Sequence, residues 1–153
     1  MREIFRNKWA LLFTLVTFDA MSQTITIDSG WIRLLPPSIE DTAAYLHITN
    51  LGDRSQKILG IESSISHKAE LHRSYVKNGF TRMEPLETLS IDPRSTFFMP
   101  SDGTHIMLIG LKARLEVGQF HELCLLIDKE SRVCREIEVL NNSVPRSDKT
   151  HAH

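Results

Sequence analysis

A chain of 153 residues is long enough for one domain with a hydrophobic core. Its formal charge of −1 leaves no basic excess to neutralise phosphates, which argues against a nucleic-acid binder. Two cysteines are too few for an all-cysteine zinc site or a cysteine-held iron–sulfur cluster.

Residues 1–22 read as a secretory signal. Arg2, Arg6 and Lys8 make a basic start, and residues 9–18 form an apolar run too short to cross a bilayer comfortably. Ala20 and Ser22 put small side chains before a cleavage point, so the exported chain is expected to begin at Gln23. An uncleaved anchor is the alternative. Either way the domain over 23–140 is exported, with the periplasm as its expected compartment, and the mature form needs no membrane.

From residue 24 onward the pattern is that of short strands. Thr24 to Ile27 alternates, and Trp31 to Leu35 is a second apolar run closed by Pro36 and Pro37, which cannot continue a central strand. Ala44, Leu46 and Ile48 fall on one face of the next strand, with Tyr45, His47 and Thr49 on the other. Asn50-Leu51-Gly52-Asp53 is a turn cluster, Lys57 to Ile61 a short strand, and Thr96 to Met99 a strand between two turn-rich stretches. No helical period emerges. Closely spaced strands with turn chemistry between them predict an antiparallel sandwich or barrel. The tail over 141–153 is polar and is expected to be disordered, because it has almost nothing to bury.

Chemistry concentrates between His72 and Met107. Leu71–Val76 and Phe80–Glu84 flank Lys77-Asn78-Gly79, and Asn-Gly between apolar runs is a strong hairpin signal. Folding at that turn carries Met83 toward His72. His105 and Met107 are two apart, so on a strand they project from one face. Thioethers are soft, uncharged donors suited to Cu(I), and imidazole also suits copper. The expectation is that His72, Met83, His105 and Met107 converge on one copper ion. Met99 is a reserve thioether, although its Phe97-Phe98 context favours the core. His47, His67 and His121 have no partner at ligand spacing and read as surface or hydrogen-bonding residues. Arg33, Tyr45, Arg73 and Arg82 are candidates for the rim.

Cys124 and Cys134 flank a stretch that reads as a hairpin turn. In an exported chain they are either bridged across neighbouring strands or two small hydrophobes on opposite faces, a difference of one residue in register. No serine-nucleophile motif, phosphate-cradling glycine loop or H-E-x-x-H occurs, so the sequence does not read as an enzyme.

The spacing H-x10-M-x21-H-x-M resembles the signature of the PCuAC family of periplasmic copper chaperones. Further stretches are similar in the same order: Trp31-Ile32-Arg33, residues 43–52, Glu70-Leu71-His72 and residues 103–111. The resemblance implies a cupredoxin-like Greek-key β-sandwich, bound Cu(I), and delivery to a CuA-type centre through an oxidase subunit or a thioredoxin-like assembly factor. It also makes the tail, with His151 and His153, similar to a reduced form of the family's metal-binding extensions, a possible Cu(II) site. Two other functions stay open: copper buffering without a dedicated acceptor, and a metal-free β-sandwich that binds a protein partner.

Overall fold

The computed structural model describes residues 24–100, 103–128 and 131–141. The expected signal and the His151/His153 pair lie outside the described residues. Among those described, all regular structure is β: β1 Ile25–Arg33, β2 Thr42–Asn50, β3 Gln56–Ile58, β4 Gly60–Ser63, β5 Ser66–Lys77, β6 Phe80–Pro85, β7 Leu89–Ile91, β8 Ser95–Phe98, β9 Thr104–Leu111, β10 Phe120–Leu126 and β11 Arg132–Leu140. One large sheet runs β4-β10-β11-β1-β2-β9-β5-β6, with β8 paired to the C-terminal half of β2, and β3 and β7 form a small separate ladder.

The sheet encloses its core by alternation. Ile32, Leu46, Ile48, Ile106, Leu108 and Leu123 are fully buried and share the inner face. Burying each such side chain is worth roughly 1.5–3 kcal/mol, so the register that keeps them inside is strongly specified. The opposite face of β1, β2, β9, β5 and β6 carries Trp31, Tyr45, His105, Met107, His72 and Met83.

Three details differ from the strand pattern read in sequence. Residues 24–27 and 31–35 are not two strands but parts of one, β1, interrupted by a bulge at Asp28. The extra residue resets the alternation, so that Ile27 and Ile32, five apart, both face the core. The run 57–61 splits between β3 and β4, which join different sheets. The sheet is also not wholly antiparallel, because β1 and β11 pair in parallel, Trp31 with Glu138 and Arg33 with Leu140.

Local chemistry closes the connections. Asn50 is fully buried in its turn: its amide donates to the carbonyls of Arg54 and Ile91 and its oxygen accepts from the Gly52 N–H. At Gly30 an added Cβ would come within 2.6 Å of the Tyr45 carbonyl oxygen, so only glycine lets β1 lie this close to β2. Cys124 and Cys134 stand directly opposite one another on β10 and β11 and are joined by a disulfide. Met99 is 1% exposed and belongs to the core, which removes it as a reserve donor.

Candidate metal centre

The hairpin expected from Asn-Gly is present. Asn78 (φ 55°) and Gly79 (φ 78°) both take positive φ, the requirement of a type I′ turn. The turn fixes the β5–β6 register so that Met83 lies opposite Ser74 and His72 opposite Pro85. Met83 is therefore the diagonal neighbour of His72 on one face, a spacing of roughly 7–8 Å that long side chains bridge. On the other edge of β5, His72 pairs with His105 and Glu70 with Met107. The four residues singled out in sequence are thus gathered on one face, across three adjacent strands. His72 and His105 have ring centroids 6.0 Å apart at 70°.

Exposure is graded across the set. His105 is 3% exposed, whereas Met83, on edge strand β6, is 61% exposed. The buried end is held by hydrogen bonding and packing. His105 Nδ1 lies 2.9 Å from the Gly103 carbonyl. A carbonyl only accepts, so Nδ1 carries the proton and Nε2 keeps a free lone pair for a ligand. The Tyr45 ring lies 6.2 Å from that of His105 and stacks on Trp31 at 4.8 Å. Burial pushes the Tyr45 hydroxyl above its ordinary pKa, with Arg33 opposing. Met107 sits between Ala43 on β2 and Glu70 on β5.

Glu70 lies two residues before His72 on β5. Its Oε2 lies 3.4 Å from His72 Nε2 and its Oε1 2.6 Å from Lys68 Nζ. The hydrogen bond from Lys68 is the main reason its carboxyl is held below the usual range; burial opposes this and His72 adds to it. Of the expected rim, Tyr45 shares the face of the histidines. Arg73 and Arg82 do not, because each is one residue out of step with His72 or Met83.

Other chemistry-bearing groups lie elsewhere. Glu122 approaches Cys124 and Cys134, but the two sulfurs are bonded to each other and offer no thiolate. His121 Nε2 is 3.3 Å from the Gln119 side-chain oxygen. Ser29 Oγ is 2.9 Å from His47 Nδ1, a pairing across β1 and β2 that no short sequence motif announces. Phe98 and Trp31 meet the His47 ring edge-on.

The chain belongs to the family described as "Putative lipoprotein LpqE-like", whose model matches residues 25–139. It is 32% identical over 96 residues to "Putative lipoprotein Lxx21020" of Leifsonia xyli subsp. xyli, a match covering 62% of this chain and 57% of that protein. The chain therefore aligns with little more than half the length of that relative. Among solved structures it is similar to the copper-bound PCuAC domain from PmoF2, with a TM-score of 0.65 and 20% identity over 78% of this chain and 94% of that one. It is also similar to apo-DR1885 from Deinococcus radiodurans, with a TM-score of 0.62 and 26% identity over 93% and 95% of the two chains. CuI-DR1885 matches with a TM-score of 0.55 and 29% identity over 80% of each chain. The fold is accordingly cupredoxin-like, as the resemblance implied.

Proposed function

We propose that this chain carries copper outside the cytoplasm, with Cu(I) as cargo held by His72, Met83, His105 and Met107. The observation that supports this most is the strand register, which sets His72 across from His105 with a thioether diagonal to His72 on either side. Two neutral sulfurs and two neutral imidazoles form a soft set matched to Cu(I). Thioethers need no deprotonation and form no disulfide, which suits an oxidising compartment. Copper is bound by two of the similar proteins, the PmoF2 domain and CuI-DR1885.

Release follows from the graded exposure. Met83 projects from an edge strand with nothing paired beyond it among the described residues, so an acceptor's donor reaches the ion there first. Displacing Met83 and then His72 would leave the ion on the buried His105 until the last exchange. The acceptor we favour is a CuA-type oxidase centre, reached directly or through a thioredoxin-like assembly factor. The test is oxidase activity at low copper in a strain lacking the gene. A defect restored by the intact chain, and not by Met83→Ala, supports delivery. Sensitivity only to excess copper supports buffering instead. A purified protein that takes up no Cu(I) would leave the metal-free binding module.

A further inference from the structure

We infer that Glu70 is an additional metal donor at this site, one that serves Cu(II) rather than Cu(I). The inference rests on the copper reading above and names a residue and an oxidation state that reading does not include. Glu70 Oε2 stands 3.4 Å from His72 Nε2, the ring nitrogen turned toward it. Two donors each about 2.0 Å from a first-row divalent ion, at angles of about 90–120°, stand roughly 2.8–3.5 Å apart. The observed separation falls in that range, so one ion can reach both atoms where a hydrogen bond now joins them. Lys68 occupies the other carboxylate oxygen at 2.6 Å, which orients the group and leaves Oε2 toward the histidine.

The placement also allows an exchange of donors. Glu70 is the direct cross-strand partner of Met107, and His72 that of His105. These four positions form one square on the outer face of β5 and β9. Cu(II) prefers nitrogen and oxygen donors in a tetragonal arrangement, whereas Cu(I) prefers soft sulfur. With both imidazoles as donors, the ion would take Met83 and Met107 when reduced and the Glu70 carboxylate when oxidised; the donor atoms of Glu70, His72 and His105 do not all lie within 4.8 Å of one another as they stand, so binding has to draw the His105 and His72 rings together. A carboxylate oxygen is a harder donor than a thioether and suits the doubly charged ion better. The carrier then retains its cargo if dioxygen takes one electron from the bound Cu(I) before transfer, leaving Cu(II) and superoxide.

The experiment uses the exported chain with His151→Gln and His153→Gln, so that the tail supplies no imidazole. Cu(I) and Cu(II) affinities are measured by chelator competition on this background and with Glu70→Gln, Met83→Leu and His72→Ala added. Glu70→Gln is expected to weaken Cu(II) binding at least tenfold, change its electron paramagnetic resonance spectrum and leave Cu(I) affinity within about twofold. Tenfold selective loss corresponds to a rise of about 59 mV in the potential of the one-electron couple. Met83→Leu is expected to show the reverse preference. Equal losses of both ions in Glu70→Gln would make Glu70 only a support for His72, and an unchanged Cu(II) site would remove it altogether. Either result overturns the inference while leaving the Cu(I) ligand reading intact. Undiminished Cu(I) binding in His72→Ala overturns that reading itself.

Discussion

His72 and His105 stand directly opposite one another on β5 and β9, and the core holds them there. The neighbouring pair in the same ladder is Leu71 with Ile106, both buried, at 3% and 0% exposure. A slip of one residue would turn both leucine and isoleucine outward and both histidines inward. The candidate metal centre is thus registered by hydrophobic burial on the reverse of the same strands, which separates its geometry from the donors themselves.

That separation predicts a clean split between binding and stability. Met83 is 61% exposed, so Met83→Ala should change the unfolding free energy by no more than about 0.5 kcal/mol. The same substitution should weaken Cu(I) binding at least tenfold in competition with a chromogenic chelator. His105→Ala should lose both, because it also removes the part-buried hydrogen bond to Gly103, at about 1–3 kcal/mol. A Met83→Ala protein that binds Cu(I) like the parent would remove Met83 from the ligand set.

The hairpin turn makes a second, indirect handle. Gly79 has φ +78° and an added Cβ would touch nothing within 4 Å, so Gly79→Ala carries only the conformational cost of a left-handed residue, about 1–2 kcal/mol. Among the described residues strand β6 pairs only with β5, so the cost falls on the placement of Met83. We expect a modest drop in thermal stability together with several-fold weaker Cu(I) binding. Unaltered binding despite a loosened hairpin, seen as faster amide exchange in residues 80–85, would show that the edge strand does not position the ion.

The disulfide should matter to stability and not to copper. Cys124 and Cys134 are 10 residues apart and close a short loop, for which the chain-entropy model gives roughly 2–3 kcal/mol. Strands β1 and β2 stand between the bridged pair β10–β11 and the donor strands β9, β5 and β6 in the sheet. Replacing both cysteines by serine should lower the melting temperature by on the order of 10 °C. Copper stoichiometry should stay the same. A loss of Cu(I) uptake in the serine variant would implicate the cystine in the centre.

Tyr45 provides the pH test. Burial raises its pKa, so the fold favours the neutral phenol. Below the unfolded value near 10 both states keep the proton and the contribution is complete. As pH rises beyond that, the unfolded chain ionises first and stability declines toward the folded pKa. Tyrosinate absorbance of a Tyr75→Phe chain reports Tyr45 alone, since the sequence has two tyrosines. Its midpoint should lie above 10, and a midpoint at or below 10 would contradict the buried placement beside His105.

Much of this arrangement was legible in the sequence because its signals are local. Asn78-Gly79 announces the turn that sets Met83 beside His72, and the two-residue step from His105 to Met107 places both on one face. What escaped was non-local or irregular. The bulge at Asp28 breaks the alternation of β1 and disguises one strand as two. The parallel pairing of β1 with β11 joins segments over a hundred residues apart and leaves no periodic trace. The juxtaposition of Glu70 with Met107 depends on the β5–β9 register, which no residue of either strand announces alone. Arg73 and Arg82 were misplaced for the complementary reason: proximity in sequence to a ligand says nothing of the face.

The most direct measurement of the central claim is X-ray absorption of the purified exported chain loaded with one equivalent of Cu(I), with His151 and His153 replaced. The account predicts a shell of two sulfur and two nitrogen scatterers, losing one sulfur in Met83→Ala and one in Met107→Ala. A shell without sulfur, or one that neither methionine substitution alters, would contradict it.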